Sequence, residues 1–562
     1  MKRTKKIFML LFTMVASLFV VNNVNALDYF YDIEIDETGK MTATKTLSDG
    51  TVEAVTMKQE DPYIVEDGSI VYNTETDKLT IKEGTIIGSI KSEDNLTIYT
   101  DNKEVFINYI VVGNDSVLEI IDSKVSFSEL PNTTLKEYSS SYINISNSEL
   151  DVPSVQIIGY QDLFVDSSKI KSLNLWGRGS VLKITDSKVE ATGMTGGATW
   201  GNTAQGMDWL SPDDYKFMGD NGRAYYGVLI VDSDVTLVGG SQGQIFSRRG
   251  ILIKDSKIKD NSTLSQYVND SIEAGNSGSD LVENVRAITI DNSEVSLKGY
   301  IKAGTHMNLV IKDSNVVTDA SIGTSVFSPY PGGDLTITNS TVSSKATVLS
   351  NDETHSSSAI VADGNLTISN SKVIADASAT NGAIVAIAYS GSLNYDNSAI
   401  IIDENGNELI KDIDISDIKY NKNFISAVKN IYTIGLKNSD GTLSGVDSDY
   451  AIIGNAYNVT VSISGGTWSD GTTEDKVIKI LYGETLTEED LPTGMKSTIG
   501  TTTGSWSESL PLTLTSDMKL VYTFDIENPN TVDSIFGCFA ALIVSLVGIY
   551  VTINLRKKII VK

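Results

Sequence analysis

The chain has 562 residues, one cysteine, two histidines and a formal charge of −28 at pH 7. A single thiol excludes a disulfide scaffold and a cysteine-ligated metal centre, and His306 and His355 alone provide poorly for a catalytic triad or a histidine-rich metal site. The acidity argues against nucleic acid as a partner and against anionic polymers unless divalent cations bridge them.

Residues 1–26 read as a secretory signal peptide. Lys2, Arg3, Lys5 and Lys6 precede an apolar run from Ile7 to Val21, and Val24-Asn25-Ala26 offers small residues for cleavage. The expected localisation is therefore extracellular, with a charge of −32 once those four cations are gone. Residues 27–74, where Tyr29, Tyr31, Ile33 and Ile35 alternate, are the expected N-terminal cap.

From residue 75 to 405 a motif recurs: apolar, any, apolar, any, usually Asp or Asn, Ser, any, apolar. Its serines are Ser123, Ser148, Ser168, Ser187, Ser233, Ser256, Ser293, Ser314, Ser340, Ser371 and Ser398. Three positions earlier stand Ile120, Ile145, Val165, Ile184, Ile230, Ile253, Ile290, Ile311, Ile337, Ile368 and Tyr395. Alternation on both sides of each Asx-Ser pair predicts two short strands meeting at a corner, since Asn and Asp tolerate the left-handed conformation. One such coil cannot bury enough to fold alone, so the coils must stack, with the isoleucines in one internal column. Leu79-Thr80-Ile81 and Leu96-Thr97-Ile98 read as degenerate first copies. The expected fold is all-β: a single-start parallel β-helix, a small β-grasp-like domain and a C-terminal transmembrane helix.

Copies such as Ala362-Asp363-Gly364-Asn365-Leu366-Thr367-Ile368 resemble the right-handed β-helix proteins of the pectate-lyase-like superfamily, especially its bacterial carbohydrate-binding branch. That resemblance implies the fold and a glycan partner. The superfamily's enzymes use Arg or Lys beside calcium-binding Asp. Arg178, Arg223, Arg248, Arg249 and Arg286 fall in or near the right region, but no Asp cluster of recognisable spacing accompanies them, and no catalytic residue is assigned. No cofactor is expected, with calcium at the Asx corners as the open alternative.

An insertion at 192–227 concentrates Trp200, Trp209, Tyr215, Tyr225 and Tyr226 among Asp208 and Asp214. Aromatic faces stack on the C–H faces of sugars while carboxylates accept their hydroxyl protons, so these seven residues are the candidate glycan site. The same rings would also serve to glue the insertion to the solenoid wall.

Residues 406–456 are the expected C-terminal cap and linker, with Asn421 to Ile431 at helical spacing. Beyond them, within 457–525, Ser464-Gly465-Gly466-Thr467-Trp468-Ser469-Asp470-Gly471, Ile480-Leu481-Tyr482-Gly483-Glu484-Thr485 and the run from Thr515 to Tyr522 resemble the internalin-type B repeat, a spacer module of bacterial surface proteins. Residues 526–534 are a linker, 535–555 an apolar stretch long enough to cross a bilayer, and 556–562 a basic tail. Asn528-Pro529-Asn530-Thr531 ahead of that span resembles the sorting signal of Gram-positive surface proteins, with Asn528, Pro529 and Thr531 as its residues. The resemblance implies a sortase as partner and a cell-wall link through Thr531; membrane lipid is the partner if the span is kept. The functional expectation is a non-catalytic adhesin or glycan-binding protein. A stalk without a specific ligand and a calcium-dependent polysaccharide lyase or hydrolase are the alternatives.

Overall fold

The computed structural model describes residues 29–525 and 540–549, except 67, 129–135, 180, 198–225, 240–244, 248, 263–269, 276–286, 305–306, 325–332, 349–357, 380–384, 397, 404–408, 415–431, 436–447, 501–502 and 548. It is an all-β protein dominated by a long parallel sheet system, and it divides into two compact units between Asn455 and Ala456.

In the first unit each coil contributes strands to three parallel ladders. Alternating side chains put one face of each strand inside and the other outside. The expected isoleucine column is present. Ile120 pairs with Ile145, Val165 with Ile184, Ile230 with Ile253, Ile290 with Ile311 and Ile337 with Ile368, each link continuing to the next coil. All are at most 1% exposed, so each rung contributes about 1.5–3 kcal/mol of apolar burial. The column begins one step differently from expectation. Leu79 rather than Ile81 pairs with Ile98, because strand Lys78–Ile81 also pairs antiparallel with Ile70–Asn73 and takes its register from that hairpin.

The corner explains the serines. Each hydroxyl donates to the carbonyl two residues before it, as Ser256 does to Lys254 at 2.6 Å, and accepts the N–H of the serine one coil earlier. The chain of N–H to hydroxyl bonds runs unbroken from Ser123 to Ser371 at 3.0 or 3.1 Å per link. The residue before each serine has positive φ, from 44° at Asn370 to 50° at Asp255 and Asp313. Asp and Asn fill that site because they pay least for the left-handed conformation among residues with a side chain; Ser167, φ 47°, is the exception.

Antiparallel strands cover both ends of the stack. At the start, Tyr29–Ile35 pairs antiparallel with Met41–Leu47 and parallel with Ile86–Ser92. At the end, strand Ser448–Ser464 lies antiparallel between Lys372–Ala379 and Ala399–Ile402. This corrects the eleventh copy of the motif. Tyr395 does extend the column beside Ile368, but Ser398 does not join the serine chain. Asn455 takes that place, accepting the N–H of Ser371 at 3.2 Å, and donates its amide to Ser398 at 3.1 Å. The helix expected over 421–431 lies outside the described residues.

In the second unit, residues from Ala456 pair antiparallel with Lys476–Leu481 and parallel with Met518–Phe524, which also pairs with Gly504–Trp506. Trp468 is fully buried there, its indole N–H bonded to the Glu474 carbonyl at 2.7 Å. Near the C-terminus residues 540–547 are helical and exposed. Among the described residues no helix is long and apolar enough to cross a membrane, so the span expected over 535–555 is not seen in them.

Candidate functional site

Of the seven candidate glycan-binding residues, Trp200, Asp208, Trp209, Asp214, Tyr215 and Tyr225 lie outside the described residues, as do Asn528, Pro529 and Thr531. Tyr226 opens strand Tyr226–Val231 and is a wall residue. It packs against Phe164, Val181, Leu229 and Leu252, and its hydroxyl lies 3.2 Å from that of Thr289. The insertion is also narrower than expected, since Thr192 to Gly196 and Tyr226 to Gly227 are strand.

The Asx corners form a shallow open groove of about 950 Å³ lined by Asn147, Asp186, Asp232, Asp255 and Asn292 among others. These side chains bond along the column, Asn292 to Asp255 at 2.5 Å and Asn339 to Asp313 at 2.9 Å. Among the described residues no group of three His, Cys, Asp or Glu is placed to hold a metal ion. The positive φ before each serine from Ser123 to Ser371 accounts for Asp and Asn there as turn residues.

A more specific surface lies on the third ladder, which the sequence pattern did not reveal. Its inward residues Tyr138, Ile157, Leu175, Met194 and Ile245 are fully buried. Between them the outward positions Ile158, Trp176, Thr195 and Phe246 fall in one column, followed by Glu273 and Lys302, which pair at 3.0 Å. A neighbouring column holds Glu137, Gln156 and Asn174, with Tyr109 preceding Ile110, the partner of Tyr138. Trp176 and Phe246 are half-buried, while Tyr160 is 45% exposed.

A glycine corner presents Tyr160 and Arg178. Gly159, Gly177 and Gly196 are in register, and a Cβ at Gly159 or Gly177 would lie 2.0 Å from a backbone oxygen. No larger residue fits that turn. Tyr160 and Arg178, each following its glycine, are thereby held outward on adjacent coils. The Tyr160 hydroxyl donates to Glu137 at 3.3 Å, and the Arg178 guanidinium lies 5.9 Å from the Tyr160 ring centroid, within cation–π reach. Burial first, and then the Glu137 carboxylate, push the phenols of Tyr109 and Tyr160 above their ordinary value, while Arg178 partly opposes this at Tyr160. Aromatic faces, two amides, a carboxylate and a guanidinium thus share one outer face, a composition suited to stacking on sugar rings and bonding their hydroxyls. Glu137 and Glu273 are both engaged, by Tyr160 and Lys302. Comparison of the chain with protein families, with curated proteins and with solved structures returns no match.

Proposed function

We propose that this protein is a non-catalytic surface solenoid, displayed outside the cell from its C-terminus, that binds glycans on the outer face of the third ladder. The outward aromatic set of Tyr160, Trp176 and Phe246, bordered by Gln156, Asn174 and Arg178, carries the reading. A charge of −28 makes neutral glycans the simplest ligands, and an acidic polymer would need divalent cations.

Glycan-array binding of the wild type and of Trp176→Ala and Tyr160→Ala tests the site, with Tyr29→Ala, on an exposed ring of the N-terminal strand, as control. A lost stacking ring costs about 0.5–1.5 kcal/mol, roughly 2- to 10-fold in affinity. Wild-type binding by both site variants would remove this face from consideration. Replacing 198–225 by a short Gly-Ser link then tests the tryptophans of that segment. An array with no binder at all favours the stalk reading, and calcium-dependent depolymerisation of a bound polysaccharide favours the lyase or hydrolase.

Support for anchoring comes from the helical residues 540–547. Leu542, Ile543, Val544, Leu546 and Val547 are all more than half exposed, and Ser545 turns its hydroxyl back onto the Ala541 carbonyl at 2.7 Å. A helix that satisfies its polar side chain internally and shows apolar side chains outward suits a lipid environment. Cell fractionation separates the two anchors: release by detergent with an intact C-terminal peptide means lipid, and release only by wall digestion, with cleavage after Thr531, means a covalent wall link.

A further inference from the structure

The second ladder has an outer face whose charges follow a definite order, and its first column forms one wall of the open groove at the Asx corners. Over the seven coils from Ser123 to Ser293 the residues directly after the corner serines stand in register as Lys124, Glu149, Lys169, Lys188, Asp234, Lys257 and Glu294, with Glu104 before them and the uncharged Asn315 and Thr341 after. Cross-strand pairing accounts for most of this order, since opposite charges on adjacent rungs attract and like charges repel. Lys169 bonds Glu149 at 2.6 Å, and Lys257 bonds Glu294 at 2.5 Å. The exception is Lys169 directly beside Lys188, where like charges meet on adjacent rungs.

That exception changes what the column matches. Strict alternation over seven rungs, read backwards, would set every charge against its own kind. The doubled lysine shifts the phase, and the reversed column becomes complementary: Lys124 meets Glu294, Glu149 meets Lys257, and Lys169 meets Asp234. The adjoining outward column, Ser126, Asp151, Lys171, Glu190, Thr236, Lys259 and Ser296, obeys the same operation. There Asp151 meets Lys259 and Lys171 meets Thr236. Only the central rung meets itself, and it carries one charge of each sign, Lys188 and Glu190.

We propose that this face docks a second copy of the chain, antiparallel, about a twofold axis at the Lys188 rung. A twofold interface needs a patch complementary to itself, and this is such a patch. Seven rungs span about 29 Å, so the contact is smaller than the roughly 800 Å² per partner of a standard interface. It is weak and salt-sensitive in dilute solution, and it strengthens where copies are held together on one surface. The intrachain pairs persist in the dimer, because each carboxylate can accept from two ammonium groups.

The test uses the full chain in detergent with Cys538→Ser, the only native cysteine, and one new cysteine placed on the face. Under oxidation with copper phenanthroline at low salt, Lys188→Cys, on the axis, forms a disulfide dimer several-fold faster than Lys124→Cys, which faces Glu294 of the other copy. Adding Glu149→Lys slows the Lys188→Cys reaction, and adding Lys257→Glu to that restores it. Glu149 and Lys257 stand four rungs, about 19 Å, apart in one chain, so restoration requires pairing between copies. Equal rates for the two cysteine variants, or a double reversal no better than Glu149→Lys alone, would overturn the proposal.

Discussion

The backbone N–H of Ser233 donates to the hydroxyl of Ser256 at 3.1 Å, across 23 positions of sequence but a single coil of the solenoid. Ser256→Ala leaves that buried N–H without an acceptor and should cost about 1–3 kcal/mol. Ser398→Ala, outside the chain of serines, should cost much less. Thermal or urea melts of the two variants check the contrast, and equal losses would mean the serine chain adds nothing.

Ile290 is fully buried between Ile253 and Ile311. Ile290→Asp places an unpaired carboxylate in the stack at a cost of several kcal/mol, enough to abolish cooperative folding of a marginally stable protein. Circular dichroism with a native-like melt for this variant would contradict the fold.

The left-handed position gives a backbone test. Asp255 has φ 50°, so Asp255→Val should lose about 1–2 kcal/mol, while Asp255→Gly should hold close to wild type. Urea midpoints rank the two. A valine variant as stable as the glycine variant would mean that the corner is not strained.

Among the described residues of the solenoid, the buried hydroxyls of Ser172 and Ser262 make no hydrogen bond. Ser172 is 3% exposed, in an inward column with Val152 and Ala191, and its Oγ makes no hydrogen bond. Removing it relieves a desolvation cost, so Ser172→Ala should be neutral or more stable, by up to about 1–2 kcal/mol. A clear fall in melting temperature would reveal a role the geometry does not show.

Alkaline unfolding should be sensitive to Tyr138. Its buried hydroxyl donates to the Ile107 carbonyl at 2.5 Å, and burial raises its ionisation above the ordinary value of about 10. The stabilisation of the neutral phenol is whole below that ordinary value and is lost as pH rises beyond it. Tyr138→Phe should therefore melt lower than wild type at pH 7, by about 1 kcal/mol for the lost bond, yet show a shallower decline above pH 10. Parallel curves across that range would exclude Tyr138 from the alkaline transition.

The corner and the isoleucine column were legible because both recur in every coil, so that eleven imperfect copies reinforce one pattern. The third ladder was not. Its strands, such as Ile245–Ser247 and Tyr300–Ala303, are only three or four residues long and follow segments of unequal length, so no fixed spacing marks them. Trp176 and Tyr160 stand instead in the longer strands Lys169–Gly177 and Glu149–Asp166, where they fall outside the recurring motif, each beside a glycine whose partner recurs one coil later. Tyr226 agrees with the second of the two readings given to the aromatic rings of the insertion, since it packs with Leu229 and Leu252 against the wall. Ser398 kept the motif but lost the partner, because Asn455, 57 positions away, bonds Ser371 in its stead.

Successive serines of the chain are separated by as few as 19 residues, from Ser168 to Ser187, and by as many as 46, from Ser187 to Ser233, yet the bonds at the two steps are 3.0 and 3.1 Å. Length varies in the segments between strands, while the corner and the strands flanking it keep their register from coil to coil. A lineage carrying this fold can thus gain, lose or exchange whole surface segments between two serines without renegotiating the interior. What such a protein recognises is able to change much faster than what holds it up.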